Sequence, residues 1–255
     1  MDYDDLKEQY KKNFNPALYP AAVKSKDFLH LFYQQQLHEI FNSDLIKGKT
    51  LLEVGCGPTT FSLFPVTKRF KVIVQCELLE KNRAAVQRWI NKDSDMPDWS
   101  FLAESLARLE GYRNVADGVK EIEGRTRNAI KHIVPCDVYD ITLIPEEHRH
   151  EYDVLLTVLC FEAAALDTDA YNRAFFNVSK LIKPGGLIVQ CGVLGAKSYT
   201  VGETAFRAMC FTEATVKYPL EKSGFKIKHW KVDQPKIVEG YVYNGAYVLV
   251  AEKCF

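Results

Sequence analysis

The sequence lacks an excess of charge of either sign, because 33 Lys and Arg residues balance 33 Asp and Glu residues. Proteins that bind nucleic acids usually carry a basic excess or a basic stripe, and anionic membranes attract basic surfaces. The longest apolar run, at about 154–161, is far shorter than the roughly 20 residues that span a bilayer. We therefore expect neither a nucleic-acid partner nor a membrane partner.

Cysteine pairs with the spacing of a zinc site or a redox motif are also missing. The seven cysteines are scattered, their number is odd, and no C-x-x-C occurs. This pattern is typical of reduced thiols, and we predict neither a disulfide framework nor a metal site. The first residues are acidic and do not resemble a secretory signal. We expect a cytoplasmic protein, monomeric, whose partner is a small molecule.

From residue 50 onward, apolar segments typical of strands alternate with segments that have the period of helices. This alternation predicts an α/β protein with a doubly wound, Rossmann-like sheet that is mostly parallel. Two strands predicted at 225–232 and about 245–252 have no helical pattern between them, which indicates an antiparallel edge strand. We predict one domain over 1–255, with a helical cap at 1–45, a sheet domain at 46–255 and a helical insertion near 93–135.

A glycine turn with the sequence EVGCGPT at 53–59 follows the first predicted strand. Its glycines allow a sharp turn and a close approach of a ligand to the backbone. A dinucleotide fingerprint requires a third glycine, and Thr60 stands at that position. Glu53, two residues before Gly55, would repel a pyrophosphate and favour a cation. The ammonium and sulfonium groups of S-adenosylmethionine fit this charge better than NAD does.

Two further acidic residues lie where a nucleoside would bind. Glu77 is 20 residues beyond Gly57, at the end of the second predicted strand, where an acid accepts hydrogen bonds from ribose hydroxyls. Asp137 follows a third strand and would accept a hydrogen bond from an adenine amino group, and the N–H of Val138 would meet a ring nitrogen. Two alternatives stay open: a tight turn beside a solvated Glu77, and a site for NAD or another nucleotide.

Several longer motifs run in one order along almost the whole chain. They are YKKNFNPALY at 10–19, EVGCGPTT at 53–60, DWS at 98–100, LEG at 109–111, PCDV at 135–138, LCFEAA at 159–164, LIKPGG at 181–186 and YTVGE at 199–203. In these motifs the chain resembles the small-molecule amine methyltransferases, the family of the nicotinamide, indolethylamine and phenylethanolamine N-methyltransferases. The NPxxY and LCxEAA segments are much more specific than the glycine turn.

The resemblance implies roles for residues at the matching positions. Two tyrosines of the cap, Tyr10 and Tyr19, would close over cofactor and substrate. The predicted cofactor-binding residues are Tyr10, Tyr19, Glu53, Gly55, Gly57, Thr59, Glu77, Asn82, Asp137, Val138 and Val158. The predicted catalytic residues are Glu162 and Tyr19. The predicted substrate-binding residues are Glu162, Gly192, Ala196, Tyr199 and Tyr241.

The acceptor positions depart from the family pattern. Gly192 stands where the nicotinamide and indolethylamine enzymes have an Asp, and Ala196 stands where those enzymes have Ser and the phenylethanolamine enzyme has a second Glu. Tyr241 stands where the last enzyme has an Asp. Three roles are open for Glu162: it takes a proton from an amine, directly or through water, it anchors an ammonium, or it caps the following helix.

The resemblance implies an S-adenosylmethionine-dependent N-methyltransferase that yields S-adenosylhomocysteine. The methyl group would pass by in-line displacement, under the N-terminal lid, to a small amine or N-heteroaromatic compound that is nicotinamide-like or an arylalkylamine. Alignment and exclusion of water would supply most of the rate. The alternatives are a non-catalytic S-adenosylmethionine-binding protein and an NAD-dependent oxidoreductase.

Overall fold

The computed structural model describes residues 2–234 and 242–255. The strands in these two segments are β1 (Thr50–Val54), β2 (Val72–Glu77), β3 (Ile130–Pro135), β4 (Tyr152–Val158), β5 (Ile182–Leu194), β6 (Ser198–Val201), β7 (Thr204–Arg207), β8 (Phe225–Asp233) and β9 (Gly245–Lys253). The α-helices are α1 (Tyr3–Asn13), α2 (Tyr19–Lys24), α3 (Asp27–Phe41), α4 (Glu80–Asn91), α5 (Ser100–Leu109), α6 (Val115–Ala129), α7 (Phe161–Ala164), α8 (Thr168–Ser179) and α9 (Glu213–Lys222).

Seven of these strands form one sheet, in the spatial order β3-β2-β1-β4-β5-β9-β8. The strands from β3 to β5 in this order are parallel, β9 runs antiparallel to β5, and β8 runs antiparallel to β9. Strand β6 pairs only with β7, as an antiparallel hairpin. The predicted fold class, a doubly wound and mostly parallel sheet with an antiparallel edge, is confirmed.

The central strand β1 is apolar because helices cover both faces of the sheet. Successive side chains of a strand point to opposite faces. Leu52 accordingly packs in one cluster with Phe175 of α8, and Leu51 packs in the other with Phe41 of α3. Strands buried on both faces read as continuous apolar runs, as this one does. The parallel strands therefore end together at one edge, where open α/β sheets bind ligands.

The predicted helical insertion near 93–135 ends earlier than expected. Helix α6 stops at Ala129, and Ile130–Pro135 form strand β3. Ile133, which also fits the apolar stripe of a helix, instead lies opposite Gln75 of β2. Pairing with an existing strand satisfies the backbone of this β-branched segment, and such tertiary context overrides helical periodicity.

The predicted cap at 1–45 has two structurally different parts. Helix α1 has no buried residue and lies along the ligand-binding edge of the sheet, where several of its residues line a cavity. Helix α3 belongs to the core, since Leu37 and Phe41 are each only 1% exposed. The β6–β7 hairpin, which periodicity did not predict, turns at Gly202 with φ +60° and brings Tyr199 to the same edge.

Candidate active site

A cavity of about 230 Å³ opens at the carboxyl ends of the parallel strands, where a single water needs roughly 10–15 Å³. Most of the predicted site residues line it, namely Tyr10, Tyr19, Glu53, Gly55, Gly57, Thr59, Glu77, Asp137, Val138, Val158, Glu162, Ala196 and Tyr199. Two others, Asn82 and Gly192, are not part of its lining. Tyr241 lies outside the described residues.

The glycine turn is tied to β2 and is open toward the cavity. The N–H groups of Gly55 and Cys56 both donate to the carbonyl of Cys76, at 2.9 and 3.2 Å. Gly55 and Gly57 have φ values of +70° and +60°, which favour glycine. A Cβ on Gly55 would overlap the Sγ of Cys160, whereas a Cβ on Gly57 would meet nothing within 4 Å. The space above Gly57 is therefore a cradle that a ligand can fill.

Glu77 is a buried carboxylate held by several donors. Its Oε2 accepts from the N–H of Gly57 at 3.0 Å, and its Oε1 accepts from the N–H of Leu79 at 3.0 Å and from the amide of Asn82 at 2.9 Å. Burial raises its pKa, although these hydrogen bonds act in the opposite direction. Asn82 also donates to the phenol of Tyr10 at 3.4 Å, and its own buried Oδ1 has no partner in the described part of the chain. Asn82 thus holds Glu77 from behind the cavity wall.

Glu53 lies beneath the glycine turn. It is 1% exposed, and it accepts hydrogen bonds from the hydroxyl of Ser62 and, at 2.6 Å, from the amide of Gln75. Burial raises the pKa of this carboxyl to about 7 despite both hydrogen bonds. Glu53 therefore connects the segment after the turn to β2 and also presents an acid to the cavity.

Asp137 is covered by helix α1. Its Oδ1 accepts from the phenol of Tyr3 at 2.6 Å and from the N–H of Tyr139 at 3.0 Å, and its Oδ2 accepts from the ammonium of Lys7 at 2.5 Å. Burial raises the pKa of the carboxyl, but these donors outweigh burial, so its pKa lies below the usual range. Both carboxylate oxygens thus have protein partners, and two of the three donors belong to α1.

Glu162 stands at the other end of the cavity, in the short helix α7 that follows β4. It is 4% exposed, and its Oε1 accepts from the backbone N–H of Val193 in β5 at 3.1 Å. Burial raises its pKa to about 7, and the backbone N–H groups of Glu162 and Val193 lower it less. Burial raises the pKa values of the phenols of Tyr19 and Tyr199, and the charges of Glu77 and, to a smaller extent, Glu162 raise them further.

Gly192 has no room for a side chain. A Cβ there would lie 2.7 Å from the hydroxyl of Tyr247, which is hydrogen-bonded to the amide of Gln190 at 2.6 Å. The carbonyl of Gly192 accepts from the phenol of Tyr33 at 2.7 Å. Two core tyrosines therefore surround this position, while the nearby Ala196 does reach the cavity.

Sequence reasoning missed several residues of the wall. From α1 and the start of α3 come Tyr3, Lys7, Lys26, Leu29 and His30, and Phe61, Ser62 and Arg207 come from other segments. The signal for part of this set is the spacing of Lys26, Leu29 and His30, which places them on one face of a helix. Periodicity does not say that this face meets a cavity.

Two features are absent from the described segments of the chain, 2–234 and 242–255. Neither segment contains a helix with the length and apolar character that crossing a bilayer requires. Likewise, no three His, Cys, Asp or Glu side chains in these segments lie together as a candidate metal site.

Known proteins share both this fold and this sequence pattern. A magnesium protoporphyrin IX methyltransferase from Synechocystis PCC 6803, solved with bound S-adenosylmethionine, superimposes with a TM-score of 0.64 at 12% identity over 99% of this chain and 98% of that one. A 1,6-didemethyltoxoflavin-N1-methyltransferase from Burkholderia thailandensis gives a TM-score of 0.51 at 18% identity over 95% and 92%. At these identities the likeness shows the fold alone, that of the S-adenosylmethionine-dependent methyltransferases.

The sequence comparisons give the family. The profile of the NNMT/PNMT/TEMT family matches residues 5–254. Nicotinamide N-methyltransferase from Sus scrofa is 29% identical over 97% of this chain and 96% of its own length. Indolethylamine N-methyltransferase from Mus musculus is 26% identical over 96% and 95%. The chain belongs to the NNMT/PNMT/TEMT family, and the predicted enzyme class and cofactor, N-methyltransferase and S-adenosylmethionine, are confirmed.

Proposed function

We propose that this enzyme methylates a nitrogen of a small amine or N-heteroaromatic compound that binds beside Glu162. The observation that carries the proposal is the position of this acid: a buried carboxyl just after β4 that lines the same cavity as Tyr19 and Tyr199. The names of the relatives support it, because nicotinamide is a pyridine and indolethylamine and phenylethanolamine are arylalkylamines. The nitrogen is the feature that these acceptors share.

We assign the cofactor to the β1–β3 end of the cavity. The open cradle above Gly57 and the carboxylate of Glu77, which Asn82 holds from behind the cavity wall, fit a ligand with ribose hydroxyls. Asp137 and Val138 would bind the adenine. The adenine amino group would then donate to the Asp137 carboxylate, which also accepts from Tyr3 and Lys7. When bound, the cofactor supplies a methyl group on a sulfonium, which leaves as a neutral thioether.

Glu162 suits both of the chemical roles that the sequence left open, namely to anchor an ammonium and to accept a proton from it. A carboxyl with a pKa of about 7 is partly ionised at neutral pH, and a neighbouring ammonium favours the ionised form further. It would anchor an alkylammonium and then accept its proton, which leaves the nitrogen lone pair free. A pyridine-type nitrogen needs no such transfer. The hydrogen bond from Val193 N–H joins the carboxyl to β5 and orients it toward the acceptor end.

Helix α1 and the tyrosines would act as the lid. Tyr3 and Lys7 attach α1 to Asp137, and Lys81 donates to the carbonyl of Lys11 at 2.6 Å, which attaches the other end of the helix. Burial raises the pKa of Tyr19 to about 12, so its phenol remains neutral and keeps its proton as a hydrogen-bond donor. A closed lid excludes water and aligns the reacting groups.

A product screen tests this proposal. The protein is incubated with S-adenosylmethionine and a panel of alkylamines, pyridines and indoles, and methylated products are identified by mass spectrometry. We expect at least one N-methylated product, formed with an equal amount of S-adenosylhomocysteine. If the product is a methylated alkylamine, Glu162→Ala should lose it, and Asp169→Asn, which changes an exposed acid of α8, should retain it. Binding of the cofactor without any product would overturn the proposal in favour of a non-catalytic binding protein.

A further inference from the structure

A guanidinium group lies at the β4–β5 end of the cavity, on the β6–β7 hairpin. Arg207 ends β7, pairs across the hairpin with Ser198 of β6, and lines the cavity together with it. Successive side chains of a strand point to opposite faces. The neighbouring Phe206 is buried and stacks on Tyr199 with ring centroids 5.3 Å apart, whereas Arg207 is exposed. One face of β7 therefore holds an aromatic stack, and the other face carries a cation.

The guanidinium of Arg207 is held at the end of α7 by backbone carbonyls. It donates to the carbonyl of Ala165 at 3.1 Å and to the carbonyl of Leu166. An arginine side chain has five N–H donors, and these two bonds use only part of them. No carboxylate within 2–234 and 242–255 forms an ion pair with this side chain. The hydrogen bonds thus orient the guanidinium, and no described acid compensates its charge.

The carboxyl of Glu162 belongs to the same short helix. The N–H of Met209 donates to the carbonyl of Glu162 at 2.7 Å, so the segment 207–209 runs beside α7. Glu162 is in the first turn of α7, and Ala165, whose carbonyl holds Arg207, is the residue that follows the helix. One helical turn rises about 5.4 Å, so a small molecule can contact both side chains. The β4–β5 end therefore offers one carboxyl and one guanidinium to the same ligand.

These two groups discriminate between acceptors by charge. A neutral pyridine amide or an alkylammonium leaves the guanidinium without an anion, whereas a compound with a basic nitrogen and a carboxylate provides a partner for each group. Hydrogen bonds between a guanidinium and a carboxylate are shorter and stronger than bonds between neutral groups. Both protein groups are already oriented by the backbone, Glu162 through the N–H of Val193, so binding orders few additional side chains.

We propose that Arg207 is a specificity-determining residue that binds a carboxylate of the acceptor, and that the acceptor is a small nitrogen compound that carries a carboxylate. The basic nitrogen of this compound faces Glu162. An amine gives its proton to Glu162, its lone pair forms the new N–C bond, and the S–C bond of the cofactor breaks to leave the neutral thioether. This inference rests on the proposed function and narrows its class of acceptors.

Two matched pairs of acceptors test the role of the carboxylate. Nicotinate has a carboxylate where nicotinamide has an amide, and phenylalanine carries a carboxylate that 2-phenylethylamine lacks. For each pair, the ratio of kcat/KM for the carboxylate member to kcat/KM for its partner is measured from the formation of S-adenosylhomocysteine. We expect a ratio of about ten or more in at least one pair. In Arg207→Met this ratio should fall about tenfold or more, because a hydrogen bond between charged groups is lost.

Control variants separate this role from a structural one. Arg113→Met, which changes an exposed arginine between α5 and α6, is the matched control and should keep the wild-type ratio. Arg207→Gln keeps an amide donor for the backbone carbonyls and removes the charge, so it decides the question if Arg207→Met does not fold. An unchanged ratio, with both members of a pair slowed equally, would show that Arg207 only caps α7 and would overturn the inference.

Two further results would also overturn it. A wild-type enzyme that prefers the carboxylate member in neither pair would show that the class of acceptors is wrong, and the proposed function would still hold. A Kd of S-adenosylhomocysteine raised about tenfold in Arg207→Met, with an unchanged ratio, would assign Arg207 to the cofactor instead.

Calorimetry distinguishes a failure of this inference from a failure of the proposed function. The same four compounds are titrated into the protein saturated with S-adenosylhomocysteine. A carboxylate member that binds more tightly than its partner, and that Arg207→Met weakens about tenfold, supports the carboxylate site even if no methylated product forms, a result that would refute the proposed function. Binding of neither carboxylate member would overturn the inference.

Discussion

The two ends of the cavity are built differently. At the β1–β3 end, Glu53, Glu77 and Asp137 each accept two or more hydrogen bonds from neighbouring groups. At the β4–β5 end, Glu162 accepts from the backbone N–H of Val193, and the small side chain of Ala196 lines the same cavity. A connected polar network tolerates few changes, because each removal leaves another buried group unpaired. At the β4–β5 end, where we propose that the acceptor binds, we expect a few substitutions to change the preference for the acceptor.

The largest effect is expected at the network end. Glu77→Ala should raise the Kd of S-adenosylhomocysteine about 100-fold or more, since hydrogen bonds to a charged group contribute roughly 1.5–3 kcal/mol each. Calorimetry measures this, with Glu80→Ala, an exposed acid of the same segment, as the control. A loss below about tenfold would mean that the network does not bind the cofactor.

At the acceptor end, Glu162→Gln should separate turnover from cofactor binding. We expect kcat/KM for an alkylamine to fall about 100-fold, the usual scale of general base catalysis, while the Kd of S-adenosylhomocysteine changes less than about threefold. Steady-state kinetics and calorimetry measure the two quantities. A parallel loss of both would show that the two ends do not act separately.

The same substitution should also change how stability depends on pH. Because the pKa of Glu162 is raised from 4.5 to about 7 in the fold, the native state favours the protonated carboxyl, and stability is lost as pH rises between these values. Glu162→Gln removes this loss, so its stability relative to wild type should increase by about 1–3 kcal/mol from pH 4 to pH 8. Thermal unfolding across this pH range measures it, and a constant difference would contradict the buried, protonated state.

A substitution of Gly192 tests whether this position belongs to the core or to the wall of the proposed acceptor site. Gly192→Ala places a Cβ against the hydroxyl of Tyr247, and overpacking of this kind costs about 1–3 kcal/mol. We expect a lower unfolding midpoint and an unchanged Kd for S-adenosylhomocysteine. An unchanged midpoint together with an altered acceptor preference would instead place residue 192 in the acceptor wall.

The smallest effect is expected from removal of the ion pair that joins α1 to Asp137. Lys7→Met removes a partly exposed ion pair, worth about 0.5–1 kcal/mol. Amide hydrogen exchange in α1, followed by mass spectrometry, should therefore become about 2–5-fold faster. Lys12→Met, on the exposed side of the same helix, should leave the exchange rate as it is. Equal rates in both variants would mean that Lys7 does not hold α1 in place.

Local patterns in the sequence are sufficient to predict the sheet and much of its ligand-binding edge. The alternation of strands and helices predicts a parallel sheet, and parallel strands carry Gly57, Glu77 and Asp137 to one edge. The helical period extends into strand β3, because a short apolar segment such as 130–135 fits the periods of both a helix and a strand, and only its pairing with β2 distinguishes the two. Periodicity does not predict the β6–β7 hairpin either, since strands of four residues carry little periodic signal.

The packing around the site and the electrostatic state of its residues depend on contacts between distant segments. The energies of these contacts arise from packing that no local pattern encodes. Tyr247 comes to fill the space beside Gly192, 55 residues away in the chain, through the pairing of β5 with β9. Lys7 reaches Asp137 across 130 residues. The burial that raises the pKa of Glu162 and leaves the Nδ1 of His30 without a partner arises only when α3, the sheet and the hairpin enclose one cavity. The residue types that make the chemistry are thus readable in the chain, and their electrostatic state depends on tertiary burial.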